Sequence, residues 1–162
     1  MESDAPHMLT FKMLQGTRDG LKDPYSIMLS ASLARIFFGN ENPLDKVLKV
    51  DGNDDAKVKV VYEDMQHTSE FAELAFIAPW ALNTKINPWQ SYFEDDWNNN
   101  FLQVFVQIAP HTSFDQVSAK IKDIKLKHST EEVAKSKKFE VFHQPMANWH
   151  LYNEFEKGKI NG

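Results

Sequence analysis

The chain has 162 residues, 42% hydrophobic and 25% charged, with 18 Lys and Arg against 23 Asp and Glu for a net charge of −5. That is the composition of a globular protein long enough for one domain, or one domain with two lobes, around a sizeable core. There is no cysteine, which excludes disulfides, thiolate zinc sites and cysteine nucleophiles, and the acidic balance speaks against nucleic acid as a partner.

The first residues, Met1-Glu2-Ser3-Asp4, lack a basic patch followed by an apolar core, so they do not read as a signal peptide, and export would have to be directed by another segment of a parent chain. Residues 26–29 form a short extended run. Ser30 is placed to cap a helix on which Leu33, Ala34 and Phe37 share one face. Gly39 ends that helix, because glycine adopts the left-handed conformation wanted there without a side-chain clash. The chain turns at Asn42-Pro43 and enters residues 47–50 (VLKV), a strand that ends at Asp51-Gly52. Residues 56–63 (AKVKVVYE) alternate apolar and polar, and the spacing predicts a β-hairpin across Gly52-Asn53-Asp54-Asp55. Residues 74–78 supply a further apolar strand, and Pro79 opens a short helical segment with Trp80 and Leu82. From 83 to 100 the pattern breaks down into polar and aromatic residues and reads as a long loop.

A second unit restarts at Phe101. Residues 101–109 (FLQVFVQIA) alternate as a strand does, and Pro110 closes them. Ser113 and Gln116 form a capping box for a helix whose stripe is Phe114, Val117, Ile121, Ile124 and His128, expected to face a sheet. Residues 139–143 (FEVFH) supply another strand, completing a βαβ unit. The fold class is therefore α+β and two-lobed, with a hairpin-rich mixed lobe (strand-helix-strand-strand) and a βαβ half-lobe. No run approaches the roughly 18 apolar residues of a membrane helix, and the longest candidate, 74–82, is interrupted by Pro79.

The order of strand, short helix, Phe-Gly, Asn-Pro-Leu, Lys and strand, carried by Ile27, Leu29, Ser30, Phe38, Gly39, Asn42, Pro43, Leu44 and Lys46, resembles the periplasmic core domain of MacB/FtsX-type ABC-transporter permeases. Asp45 departs from the pattern, since members often carry Gly there, and a looser turn is expected. Phe11, the Leu14-Gln15-Gly16 turn and Lys22-Asp23-Pro24 resemble the approach to this signature. Gln144-Pro145-Met146 and Trp149-His150-Leu151-Tyr152 resemble the exit toward the membrane. The family's domain begins with a transmembrane helix and an initial strand-helix-strand portion that are not visible in this sequence, so the chain looks like an excised part of a larger protein, with strand edges that invite dimerisation. The resemblance divides the chain into a central lobe at 1–98, a βαβ portion of a second lobe at 99–150 and an exit segment at 151–162.

Chemical motifs are weak by comparison. Asp51, Asn53 and Asp55 open like a calcium loop, but Ala56 replaces the required Gly and Tyr62 stands at the bidentate Glu position, so the stretch reads as a polar turn. The six histidines form no close ligand pair. His128 reads as packed or helix-terminal, and His143 and His150 match no common motif. There is no Gly-x-Ser-x-Gly elbow and no phosphate-binding loop, Ser30 reads as a cap, and Glu94, Asp95 and Asp96 read as a solvated acidic patch. Between 118 and 138 seven lysines stand against three acidic residues, a surplus of four that leaves −9 for the rest of a chain totalling −5. That helix reads as lysines on a wet face.

Neither catalytic residues nor cofactor or metal ligands are therefore expected. The candidate contact residues are Trp89, Tyr92, Phe93 and Trp97, aromatics in the irregular stretch that can anchor a partner or pin the loop to the fold. The resemblance implies a non-catalytic periplasmic domain of an inner-membrane permease. Its partners would be a cytoplasmic ATPase subunit or domain, a second permease copy in a dimer, and a periplasmic adaptor in some members. The alternative from another class is a free-standing secreted module that binds a peptide or glycan.

Overall fold

The computed structural model describes residues 1–52, 54–66, 71–93, 96–97, 102–130, 139–148, 155–156 and 159–160. The chain divides into two compact units, Met1–Glu94 and Asp95–Gly162.

In the first unit a short helix α1 (Ala5–Met8) precedes strand β1 (Met13–Gln15), a 3-10 turn at Arg18–Leu21 and strand β2 (Ser26–Ser30). Helix α2 (Ala31–Phe38) follows, then the hairpin strands β3 (Val47–Val50) and β4 (Asp54–Tyr62), a two-residue strand β5 (Phe76–Ile77), helix α3 (Trp80–Ile86) and a 3-10 helix at Pro88–Phe93. The sheet is mixed. β4 is central, antiparallel to β1 and β3 and parallel to β2, and β2 in turn pairs antiparallel with β5.

Both faces of this sheet are covered, so β2 is buried at all of its residues and reads as a continuous apolar run. One face packs Leu9, Phe11, Leu21, Met28, Val60, Tyr62 and Ile77, and the other packs Ile27, Leu29, Ala34, Ala56, Val58, Val61 and Leu82. Val58 and Val60 are two apart yet lie on opposite faces. The register supplies the reason: Ile27 pairs with Val58 and Met28 with Val60, so the residue between them in β4, Lys59, is one too many and bulges. Each fully buried Leu, Val or Met in these clusters contributes about 1.5–3 kcal/mol against exposure.

Several sequence expectations need correction. The strand expected at 74–78 is reduced to Phe76–Ile77, which pairs with Met28 and Leu29, while Ser30 N–H reaches Ala75 O at 2.8 Å just before it. Phe37 is not on the core face of α2. It is 54% exposed, and Phe38 packs inward beside Ala34 in its place. The loop expected at 83–100 begins as helix: α3 runs to Ile86 and the 3-10 helix occupies Pro88–Phe93. Its amides read as loop signals, but Asn83 donates to Gln90 and Asn87 donates to Asn83 at 3.3 Å, so they satisfy one another across the junction.

The second unit departs further. Helix α4 (Phe114–Ile121) starts at the expected capping box, with Ser113 accepting from the Gln116 N–H at 3.2 Å and Gln116 returning the bond to Ser113. A break at Lys122-Asp123 separates it from α5 (Ile124–Lys127), so the stripe is not carried on one helix. The Lys122 carbonyl, which an unbroken helix would use internally, accepts from Val141 N–H at 3.0 Å. His143 N–H likewise donates to Ser118 Oγ at 2.9 Å, and Lys122 pairs with Glu140 at 3.0 Å. The backbone of 139–143 thus bonds to the helix, and among the described residues no ladder joins it to 102–109. Among the described residues neither of the expected βαβ strands is paired in a sheet, and Leu102, Val104 and Val106 are exposed. Phe155–Glu156 and Lys159–Ile160 form a small antiparallel pair, β6 and β7. Residues 149–152 lie outside the described residues.

Candidate functional site

The signature residues are the best-defined part of the first unit, and each holds the fold. Ser30 Oγ accepts from Leu33 N–H at 3.2 Å and so satisfies one of the first helical donors of α2. Gly39, at φ 60°, ends the helix by donating to the Arg35 carbonyl at 2.8 Å. The Asn42 side chain accepts from Leu44 N–H at 3.1 Å across a buried Pro43, a side-chain turn that aims the chain at β3. Lys46 pairs with Glu41 and lies 5.2 Å above the Phe38 ring.

Asp45 corrects one expectation. Its φ is 62°, in the left-handed region that favours glycine. The turn is not looser for the substitution: Asp45 N–H donates to Val58 O at 2.8 Å, and Lys59, reaching from the bulge, bonds the carboxylate at 2.6 Å. That bond and the Lys59 charge hold the Asp45 carboxyl below its usual range. Asp64, just beyond β4, accepts from Ser32 N–H at 3.0 Å and Ser32 Oγ at 2.8 Å, so the strand end is tied to the start of α2. Burial pushes its carboxyl up, but the bonds from Ser32 and Ser30 and the charge of Arg35 together leave it below its usual range.

Two clefts open on this unit. One, of about 370 Å³, is lined by Asp23, Tyr25, Val47, Asp54, Asp55, Lys57 and Lys85. It is internally compensated: Lys85 lies 3.1 Å from Asp54 and 4.4 Å over the Tyr25 ring, and Lys49 holds Asp55 at 2.6 Å. The hydrogen bond to Asp54 raises the Lys85 pKa. The other, of about 340 Å³, is bounded by Phe76, Pro79, Trp80 and Asn83 with no charged side chain in its lining. No sequence pattern pointed to either cleft, because each joins residues from distant elements.

Of the aromatic candidates, Trp89 and Tyr92 lie on the 3-10 helix and are 55% and 83% exposed. The Phe93 side chain lies outside the described residues. Trp97 belongs to the second unit, where it stacks on His128 with ring centres 4.2 Å apart and planes 11° from parallel. His128 is thus helix-terminal, at the end of α5, and exposed apart from its stack on Trp97. The residues that opened like a calcium loop are separated: Asp51, at φ 49°, begins the hairpin turn with Gly52 at φ 80°, Asp55 lies in β4 opposite Lys49, and Asn53 lies outside the described residues. Among the described residues no group of three His, Asp or Glu side chains could hold a metal ion, and no helix is long and apolar enough to cross a membrane. Glu94, Asp95 and His150 lie outside the described residues.

Comparison with known proteins places this geometry. The chain is similar to a domain assigned to a permease protein of Porphyromonas gingivalis, at 19% identity and a TM-score of 0.57, over 92% of this chain and 66% of that one. It is also similar to the periplasmic region of MacB from Actinobacillus actinomycetemcomitans, at 17% identity and a TM-score of 0.51, over 78% of this chain and 54% of that one. It therefore spans less than two thirds of either solved chain, and the likeness is one of fold. No curated protein matches significantly. The family of MacB-like periplasmic core domains matches residues 1–124, which include the whole signature and its sheet, and the chain belongs to that family: a periplasmic domain of an ABC-transporter permease.

Proposed function

We propose that this domain does no chemistry itself and transmits ATP-driven motion of its permease's membrane helices to a periplasmic substrate or partner protein. The observation that carries this reading is the family match over a unit whose polar side chains are committed to the fold. Ser30, Asn42, Asp64 and Lys46 each answer a local backbone or charge requirement. A transmitting element has to move as one body. The five-stranded sheet with a packed cluster on each face supplies that stiffness, because close-packed interiors have low compressibility and pass strain on.

In this reading residues 1–98 are the central lobe, 99–150 part of a second lobe, and 151–162 the exit toward the membrane. The partners would be a cytoplasmic ATPase, a second permease copy and, in an export system, a periplasmic adaptor. Trp89, Tyr92, Phe93 and Trp97 are the proposed contact residues. The exposure of Trp89 and Tyr92 supports that role for those two.

The test is transport by the full permease carrying Trp89→Ala and Tyr92→Ala. Loss of transport with ATP hydrolysis by the ATPase subunit retained supports transmission through this surface, and unchanged transport by a folded double variant removes the contact role. A parent reading frame without a transmembrane helix on either side of this domain would remove the permease reading altogether.

A further inference from the structure

The 3-10 helix at Pro88–Phe93 carries its two exposed aromatics at positions i and i+3. A 3-10 helix has three residues per turn and rises about 2 Å per residue, so Trp89 and Tyr92 eclipse on one side with their attachment points about 6 Å apart. Gln90 and Ser91 fill the turn between the rings, and the helix junction below is held by the amides of Asn83, Gln90 and Asn87. Gln90 uses its carbonyl oxygen to accept from Asn83, which leaves both its amide N–H groups without a partner among the described residues. Asn83 also lines the 340 Å³ cleft, where Phe76 is 52% exposed, Trp80 forms a wall, and the one charged group is the Met1 α-ammonium, which is already bonded to Ala78 O at 2.7 Å. Through the Asn83–Gln90 bond the exposed aromatic pair and its amide donors adjoin a small, mostly apolar cleft whose lining has no charged side chain and whose α-ammonium, that of Met1, is bonded to Ala78 O.

Flat apolar ligand faces with hydroxyls around their rim match that combination. Aromatic rings cover the C–H faces of a sugar ring, and amides exchange hydrogen bonds with its hydroxyls. We propose that the Trp89–Tyr92 helix and the adjoining Phe76–Trp80 cleft bind an uncharged glycan chain. An anionic lipid surface is disfavoured, because residues 86–100 carry no Lys or Arg that would meet its headgroups. The proposal rests on this helix being a contact surface and adds the class of ligand. It can fail while the transport reading stands, because its test uses this chain alone in solution.

The probes are chitotetraose and cellotetraose, two uncharged oligosaccharides, titrated into the 162-residue protein and followed by tryptophan fluorescence and calorimetry. Saturable binding of at least one is expected, weakened about fivefold by Trp89→Ala and again by Tyr92→Ala, which is the loss of roughly one aromatic contact each. Gln90→Ala should weaken it by a smaller factor. Ile36→Ala, at an exposed apolar residue on α2, should leave it unchanged. Thermal melting of each variant establishes that it is folded, and Trp89→Phe, which keeps a ring, should restore part of the affinity. Absence of saturation with both sugars, equal binding by the folded double variant, or association with phosphatidylcholine vesicles in place of the sugars would overturn the proposal.

Discussion

Arg18 is the residue whose loss should cost the first unit most for its size. From the 3-10 turn its guanidinium donates to three main-chain carbonyls: Leu9 at 2.9 Å, Phe11 at 2.7 Å, and Pro6. Pro6, Leu9 and Phe11 are buried, and the segment from 6 to 11 forms no strand that would satisfy these oxygens in a ladder. A planar fork with five donors can serve three carbonyls at once, which the point charge of a lysine cannot. Hydrogen bonds to a charged group contribute about 1.5–3 kcal/mol each, but bonds sharing one side chain are not additive, so Arg18→Met should destabilise by about 3 kcal/mol. Arg18→Lys should keep about one of the bonds and lose about half as much. Urea denaturation followed by circular dichroism, with the slope checked for change, measures both. A loss for Arg18→Met within about 0.5 kcal/mol of zero, the ordinary range of a surface substitution, would show that water serves these carbonyls as well as the guanidinium does. Equal stability of Arg18→Lys and the parent would refute the argument from fork geometry.

Gly20→Ala should destabilise although its backbone conformation is ordinary, because an added Cβ would lie 2.3 Å from Val60 Cγ2 in the core; such overpacking costs about 1–3 kcal/mol in chemical denaturation. At Gly16, with φ 78° and Lys59 O only 2.2 Å from the position of a Cβ, the same change should cost more, since backbone cannot move aside as a side-chain tip can. Tyr62→Phe keeps the ring, which lies 5.4 Å from that of Phe11, and removes the hydroxyl that donates to Leu74 O at 2.6 Å; a loss of about 1–2 kcal/mol is expected by the same assay. Asp64 has a folded pKa below its ordinary 3.8, so its contribution is present above that value and disappears as pH falls through the lower, folded one. The stability gap between the parent and Asp64→Asn should therefore close on acidification below about pH 4, and a gap that is constant with pH would show that the carboxylate charge has no part in holding α2. In hydrogen exchange, amides of β2 and β4 should be the slowest and those of 102–109 among the fastest, since the first are laddered on a buried sheet and the second carry no ladder among the described residues.

Local instructions were read correctly where a few neighbouring residues decide the structure. The Ser30 cap, the Gly39 stop and the Ser113–Gln116 box each depend on contacts within about four residues and stand as expected, and the hairpin of β3 and β4 forms with a shorter turn than expected, since β4 starts at Asp54, opposite Val50, and not at Ala56. Misreadings arose where a second partner decides. Residues 56–63 alternate in sequence, yet Lys59 bulges because the parallel neighbour β2 is one residue shorter over that stretch. Arg18 and Asp64, which hold the approach to the sheet and the start of α2, belong to no motif, since their acceptors and donors lie 7 to 32 residues away. The exposed pair Trp89 and Tyr92 was picked out by residue type alone; only the 3-10 geometry shows that the two share a side.

Residues 102–109 mark the limit of pattern reading in the other direction. LQVFVQIA has the period and the β-branched content of a strand, yet those properties describe how a segment would fit a pleated, half-buried surface and cannot supply the neighbour. A ladder needs another chain segment with its own N–H and C=O groups free, and 139–143, the expected neighbour, gives the Val141 and His143 donors to the α4 end and to Ser118. The apolar alternation is then left facing outward at Leu102, Val104 and Val106. β2, with a weaker alternation, is a strand buried at every residue, because β4 and β5 flank it and a cluster covers each face, so its identity is set by its neighbours more than by its own pattern.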